Sequence, residues 1–226
     1  MISHKYQCIF MHIPKCAGTS IESALGHLDN HVGRGGQDHR SIRMIEQSYF
    51  NSKMLCTKQN LIELVRRHTF ERVRLQLNHR NKYSVSSEQY KNYFKFTIVR
   101  NPWARAYSCY KSVIIDPIHC KEMKIYREIS FKNFLVRFAG KGLLRSQLYW
   151  VQSFDGSIPL DFIGRFENLS EDTQKIFKKI NLNNVSLPHK LKGSVSDFRG
   201  HYDTASNDII HNIYKEEINI FKYTFE

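Results

Sequence analysis

The chain has 226 residues, 41% of them hydrophobic and 13% aromatic, which excludes an intrinsically disordered protein and suits one α/β domain over residues 1–226. Its formal net charge of +13 points to an anionic partner without identifying the anion. The five cysteines include no CxxC pair, so we expect reduced thiols rather than a zinc site or a disulfide framework. Because the sequence has no run of about 18 apolar residues and no recognisable signal peptide, we expect a cytoplasmic protein with no membrane span.

The first predicted element is a buried strand that runs directly into a helix through a short turn. Ile9, Phe10, Met11 and Ile13 form a short apolar run typical of a central parallel strand, and Pro14 ends it. Gly18 allows close approach of the backbone to another group, and Thr19 opens a segment with helical spacing. A strand, a turn and a helix in this order direct backbone N–H groups at one anion, to which Lys15 would add a positive charge. The alternative is an ordinary strand-to-helix connection that contains a lysine by chance.

The rest of the chain alternates helical and extended patterns. A glycine-containing loop over 29–37 follows the first helix, and we expect it to cover the anion site. Two further strands are predicted over 93–99 and 162–166. Helical spacing occurs over 39–50, 60–77, 103–113, 131–138, 143–150, 169–180 and 203–221. This alternation predicts a central parallel sheet flanked by helices, with ligands at the carboxyl ends of the strands.

A basic helical insert is predicted at about 53–92. From Lys53 to Lys95 the chain carries ten lysines and arginines against three glutamates, a net charge of +7. One interpretation is a solvated helix face, and the other is a surface that guides a polyanionic acceptor.

A second polar motif begins where the strand predicted over 93–99 ends. Arg100 leaves the strand at the edge where a ligand would lie, and Pro102 suits the first position of the following helix. Ser108 falls within that helix, so its hydroxyl and the Arg100 guanidinium can converge on one phosphate monoester. Arg105 lies between them in the sequence and either joins them at the phosphate or faces solvent, and we expect it to face solvent.

The two motifs together resemble a known family. HIPKCAGTS and RNPWARAYS are similar to the two cofactor loops of sulfotransferases that use 3′-phosphoadenosine 5′-phosphosulfate (PAPS). The likeness is closest to bacterial relatives of the carbohydrate and heparan-sulfate 2-O-sulfotransferases. DFIGRFENLSE, FRGHYD and EEINIFKYTFE resemble later segments of the same family. The resemblance implies the sulfotransferase fold, in which a P-loop-like central parallel sheet is flanked by helices.

The resemblance assigns the first loop to the 5′-phosphosulfate and the second motif to the 3′-phosphate. Lys15 would stabilise the bridging oxygen as its bond to sulfur breaks, while Arg100 and Ser108, eight residues apart as in the family, would hold the 3′-phosphate. The other residues of the cradle are Cys16, Ala17, Gly18, Thr19 and Ser20. Arg165 is expected near the donor or the acceptor, the alternative being an ion pair with Glu167. We expect no metal requirement, because a lysine and backbone N–H groups can neutralise a phosphosulfate.

An acceptor hydroxyl also needs a base, and His39 is the candidate. Similar members of the family carry a histidine at this point, and its ordinary pKa of about 6.5 suits proton acceptance near neutrality. The alternative is an exposed or helix-capping histidine, with His31 and Asp38 as fallback bases. Glu22 is expected to orient Lys15 or the acceptor.

The sequence leaves the acceptor and two rival functions open. We expect the acceptor to be a hydroxyl of a saccharide, neutral or anionic, and we expect no nucleic-acid partner. A P-loop kinase is one rival, but Lys15 precedes Gly18 by three residues and no GKS or GKT is present. A basic nucleic-acid-binding domain is the other, supported only by charge and aromatic content. Lys190 and Lys192 lie either in the loop that covers the nucleotide in related sulfotransferases or in a simple solvated loop.

Overall fold

The computed structural model has a mixed α/β fold in which its described residues form one sheet of four strands flanked by helices. It describes residues 1–46, 52–73, 77–126, 128–182 and 197–225, with 70–73 described by their backbone alone. Lys190, Lys192 and the C-terminal part of the helix predicted over 39–50 lie outside these residues.

The strands cross the sheet in the order β1 (Ile2–Ser3), β2 (Cys8–Met11), β3 (Phe94–Val99) and β4 (Phe162–Arg165). β2, β3 and β4 run parallel, which confirms the three predicted strands and their expected direction. The sequence does not predict β1, which pairs antiparallel with β2. Two residues are too few to show an alternating pattern, so only the pairing partner reveals this strand.

The centre of the sheet is fully buried. Every residue of β2 has at most 1% of its surface exposed, as expected for a parallel strand covered on both faces. Phe10 and Phe96 stack across β2 and β3 with ring centroids 5.1 Å apart. The register pairs Met11 with Thr97 and Val99 with Arg165. The chain therefore leaves the three parallel strands at one edge of the sheet.

The helices confirm most of the helical patterns and correct three of them. In chain order they are α1 (Gly18–Ala24), α2 (Ile42–Ile45), α3 (Lys58–Val73), α4 (Ser87–Asn92), α5 (Pro102–Ile115), α6 (Pro117–Glu122), α7 (Phe131–Phe138), α8 (Leu148–Val151), α9 (Leu169–Lys179), α10 (Thr204–Ile213) and α11 (Lys215–Phe221). α2 is a single turn, α8 begins only at Leu148, and the helix predicted over 203–221 breaks at Tyr214. Tyr214 is 2% exposed and its hydroxyl bonds to the carbonyl of Leu144, a tertiary contact that helical spacing does not reveal.

By its internal contacts the chain divides into two compact units. The first comprises Met1–Ile13, Ala17–Val99 and the described residues 148–182, and it contains the sheet. The second comprises Pro14–Cys16, Arg100–Gln147 and the described residues 197–225. The single domain expected from the sequence stays a prediction.

The second unit has a core of aromatic side chains around α5. Tyr107 of α5 meets Phe131 edge-to-face at 5.3 Å, and Phe131 meets Tyr202 at 4.9 Å. The Asn101 side chain caps α5 by accepting a hydrogen bond from the backbone N–H of Trp103 at 3.1 Å, with Pro102 at the first helical position. Among the described residues, no helix has the length and apolar character needed to cross a bilayer.

Candidate active site

The turn after β2 has an unusual backbone. Lys15 has φ 70° and Ala17 has φ 62°, so two residues with side chains adopt the left-handed region that favours glycine. Each such residue costs on the order of 1–2 kcal/mol, and strained positions of this kind cluster at ligand-binding sites. Ala17 is the N-cap of α1, and because its methyl group cannot accept a hydrogen bond, the N–H groups of the first turn have no side-chain cap. The anion cradle over this turn stays a prediction.

The side chains of the cradle differ in exposure. Cys16 and Ser20 are buried at 1% and 5% exposure, whereas the hydroxyl-bearing Thr19 is exposed. The Cys16 thiol lies 3.6 Å from Oε1 of Gln147 in the second unit. Thr19 is therefore the cradle hydroxyl that solvent can reach.

Lys15 is half-buried within the second unit, next to the arginine of the second motif. Its carbonyl accepts a hydrogen bond from Nη1 of Arg100 at 3.1 Å, although the two residues are far apart in the sequence. Burial lowers the pKa of the Lys15 ammonium, and the Arg100 guanidinium lowers it further. An anion bound at this point would relieve both effects.

Arg100 is held in place by a glutamine that the sequence did not single out. Oε1 of Gln147 accepts from the backbone N–H of Arg100 at 2.9 Å, and its Nε2 donates to the Arg100 carbonyl at 2.8 Å. The same Nε2 donates to Oε1 of Glu217 at 3.1 Å, and both side chains are completely buried. Gln147 thus satisfies both backbone groups of Arg100 where β3 has ended. A lone buried glutamine leaves no periodic signal in a sequence.

The prediction that Arg105 faces solvent is wrong. Arg105 is 1% exposed, and its Nε donates to the Pro14 carbonyl at 3.2 Å. Its Nη2 donates to the carbonyls of Leu143 and Arg145, each at 2.9 Å. These three carbonyls lie outside the sheet and the α-helices, and one guanidinium can satisfy several carbonyls at once. Ser108, half-buried, follows one turn later on the same face of α5.

In the first unit, two histidines and a glutamate lie together beside the end of β2. His12, at 3% exposure, has its Nδ1 3.0 Å from Oε1 of Glu22, which is completely buried. Oε1 of Glu22 also accepts from the backbone N–H of Asp38 at 3.1 Å. The sequence predicts that Glu22 orients Lys15 or the acceptor. The contacts of its Oε1 are instead with His12 and Asp38. The sequence predicts no role for His12, although the first motif begins with this residue.

His39 packs on this group, and its exposed ring meets the His12 ring with centroids 4.1 Å apart. Its Nδ1 lies 3.2 Å from the carbonyl oxygen of His12. Because a carbonyl only accepts, Nδ1 carries the proton and Nε2 of the neutral ring keeps the lone pair. Although part of the ring is open to solvent, desolvation first and the neighbouring His12 next lower the pKa of His39 to about 4, so the ring is neutral at pH 7.

The carboxylate of Asp38, a fallback base, already forms ion pairs with two cationic groups. Burial alone would raise the pKa of its carboxyl, but the Arg40 guanidinium at 2.7 Å and the Met1 ammonium at 3.4 Å outweigh burial and hold it well below the usual range. A carboxylate this acidic is a poor proton acceptor at neutral pH.

The family profile described as Sulfotransferase family matches residues 1–224, nearly the whole chain. The chain belongs to the sulfotransferase family. An uncharacterized protein from Archaeoglobus fulgidus is 31% identical over 98 residues, which cover 43% of this sulfotransferase and 76% of the relative. No solved structure matches the chain.

Arg165 lies at the end of β4 in this sulfotransferase, opposite Val99 and half-buried. Its backbone N–H donates to Oδ2 of Asp172 at 2.8 Å, which fixes the end of the strand on α9. The parallel register therefore brings Arg165 to the sheet edge at which β3 also ends. Its expected proximity to the donor stays a prediction.

Gly18 is required by packing as well as by the turn. A Cβ added at Gly18 would lie 2.0 Å from Cδ2 of His12, whose buried ring has little room to move. We expect Gly18→Ala to lower the free energy of unfolding of the sulfotransferase by about 1–3 kcal/mol and its melting temperature by roughly 2–12 °C. Thermal unfolding followed by circular dichroism measures this change.

Gly200 provides the matched control for that variant. A Cβ at Gly200 would have no neighbour within 4 Å, so Gly200→Ala should leave the melting temperature nearly unchanged. Equal melting temperatures for the two variants would show that the His12 ring yields to the added methyl group.

Proposed function

We propose that this sulfotransferase transfers a sulfuryl group from PAPS to a hydroxyl of an acceptor, and that the acceptor is a carbohydrate. The observation that carries the proposal is the hydrogen bond from Arg100 to the Lys15 carbonyl, because it joins the two motifs that resemble the family's donor-binding loops. Two sequence-distant motifs that meet in this way fit one ligand with an anionic group at each end.

The residues of the second unit suit the 3′-phosphate. Arg100 supplies a planar guanidinium, which matches the oxygens of a phosphate monoester. Ser108 supplies a hydroxyl on the face of α5 that Arg105 ties to Pro14. The backbone of Arg100 is held on both sides by Gln147, so the guanidinium starts from a fixed position.

The turn that follows β2 suits the 5′-phosphosulfate. The left-handed residues Lys15 and Ala17 and the uncapped first turn of α1 offer backbone N–H groups, to which Thr19 adds an exposed hydroxyl. When bound, PAPS supplies an activated sulfuryl group whose departure leaves negative charge on the bridging oxygen. The Lys15 ammonium would neutralise that charge, and the remaining cradle residues would hold the donor in line with the acceptor.

His39 is the proposed base. Its neutral ring and the assignment of the proton to Nδ1 leave Nε2 as the atom that accepts the proton of the acceptor hydroxyl. The low pKa keeps the base available over the whole neutral range. It also limits the driving force for proton transfer, since the strongest general bases have a pKa near the working pH.

A carbohydrate acceptor follows from the resemblance and from charge. Sulfated or carboxylated saccharides are polyanions, and over half of the net charge of +13 lies between Lys53 and Lys95. The same excess would attract nucleic acid, which is the second candidate partner. Family membership favours sulfuryl transfer over the phosphoryl transfer of a kinase.

Adenosine 3′,5′-bisphosphate, the product of the donor, tests the proposal directly. At 100 times its dissociation constant it should add about 2.7 kcal/mol to the free energy of unfolding, which raises the melting temperature by roughly 5–11 °C. Arg100→Ala should weaken binding on the order of 10- to 150-fold, because it removes hydrogen bonds to a charged group. Thermal shift titrations measure both effects.

The exposed Arg137 of the same unit is the control for Arg100. Arg137→Ala should keep the full bisphosphate shift. The absence of any shift in the wild-type protein at millimolar bisphosphate would contradict the proposed donor. Salt-dependent binding of RNA or DNA that the bisphosphate does not displace would favour the nucleic-acid alternative instead.

A further inference from the structure

The buried residues His12 and Glu22 are connected to His39 by two separate sets of contacts. The first route is His12, whose backbone carbonyl accepts a hydrogen bond from Nδ1–H of His39 and whose ring lies 4.1 Å from the His39 ring. The second is the backbone N–H of Asp38, the residue before His39, which donates to Glu22. Both routes end on the same atom, Oε1 of Glu22, which lies 3.0 Å from Nδ1 of His12.

The His12 ring is held on its other sides by packing. It stacks on Phe10 with ring centroids 5.8 Å apart, and the space where Gly18 lacks a Cβ is filled by the imidazole. A ring confined in this way has little freedom to rotate about its Cα–Cβ bond. The position of Nδ1 opposite Glu22 is therefore a fixed feature of the fold.

We propose that Glu22 and His12 are positioning residues for His39, and that they hold its imidazole with Nε2 as the proton-accepting nitrogen. The inference rests on the proposed function, in which His39 is the base. Glu22 fixes the segment that carries His39 through Asp38, and it fixes the ring of His12 on which His39 lies. A base must be held close to its productive geometry, and a displacement of about 1 Å can cost on the order of 100-fold in rate.

The protonation of His12 and Glu22 agrees with their role as positioning residues. Burial lowers the pKa of His12 to about 3, so its ring is neutral at pH 7, and burial raises the pKa of Glu22 to about 7. Other ionisable groups also act on the pKa of Glu22: the Met1 ammonium, His27 and His39 lower it, and Asp38 raises it. The neighbouring His12 already lowers the pKa of His39, and a full positive charge on a ring 4.1 Å away would lower it further.

Replacement of Glu22 by leucine tests the inference. Glu22→Leu keeps the side-chain volume but loses both contacts of Oε1, so the ring of His39 should sample both tautomers. Nitrogen-15 chemical shifts of the labelled His39 ring distinguish the tautomers, and we expect a single Nδ1–H form in the wild type and a mixture in the variant. In a transfer assay kcat should fall on the order of 10- to 100-fold, while the affinity for the bisphosphate stays unchanged.

Two further variants control this experiment. Glu22→Gln can still accept from the Asp38 N–H, so it should restore the Nδ1–H form and most of kcat. Glu63→Gln changes another completely buried carboxylate of the first unit, and it should alter stability without altering the His39 tautomer. Should Glu22→Leu fail to fold, His12→Phe takes its place, since it keeps a ring and the backbone carbonyl but loses the contact with Glu22.

A failure of the positioning role and a failure of His39 as the base give different results. A folded Glu22→Leu or His12→Phe variant with the wild-type tautomer and wild-type kcat would overturn the positioning role. Full activity of His39→Ala would instead overturn His39 as the base, and the tautomer measurement would still report whether Glu22 and His12 hold the ring.

Discussion

Lys15→Ala is expected to lower kcat for sulfuryl transfer on the order of 100- to 1,000-fold, the range observed when one group that stabilises transition-state charge is removed. The reason is that Lys15 is the cation of the turn after β2, where the left-handed backbone and the Arg100 contact define the proposed donor site. The bisphosphate lacks the sulfuryl group, so its binding should weaken less than kcat falls. Transfer of label from radiolabelled PAPS to a panel of glycans provides the rate.

The comparison with other lysine variants makes this result specific. Lys178→Ala removes an exposed lysine of α9 and should leave kcat unchanged. Lys15→Arg should recover only part of the rate, since a planar guanidinium does not reproduce a compact ammonium. Wild-type kcat in Lys15→Ala would refute its role at the bridging oxygen.

Arg105→Ala is expected to lower the free energy of unfolding by about 3–5 kcal/mol, the cost of removing one partner from a buried charged network. The change leaves the carbonyls of Pro14, Leu143 and Arg145 without the guanidinium that they bond. It also removes the positive charge that stabilises the buried carboxylate of Glu217. For a protein of this size the melting temperature should fall by roughly 6–20 °C, as measured by calorimetry.

Arg137 is again the matched control, because it also donates to two backbone carbonyls, those of Met123 and Lys124, but at the surface. Arg137→Ala should change the free energy of unfolding by no more than about 0.5 kcal/mol. A loss in Arg105→Ala as small as that of the control would mean that water replaces the buried guanidinium.

Local patterns were sufficient for most of the elements. β2 is a continuous apolar run, β3 is rich in aromatic and β-branched residues, and the helix Phe131–Phe138 has most of its apolar residues on one face, so each is visible within a short window of sequence. β1 and the break at Tyr214 are not visible in this way. Both depend on partners elsewhere in the chain, Ile9 and Cys8 for the strand and Leu144 for the tyrosine.

The same distinction between local patterns and long-range contacts applies to the candidate site. The sequence by itself determined the two motifs and the resemblance to the sulfotransferase family, because both depend only on the spacing and types of residues along the chain. Only the tertiary structure decided that Arg105 is buried, that Gln147 holds Arg100, and that Glu22 serves His12 and Asp38. The identity of a polar residue does not tell whether its side chain contacts water or a buried carbonyl. Its role is therefore fixed by the long-range contacts that folding creates.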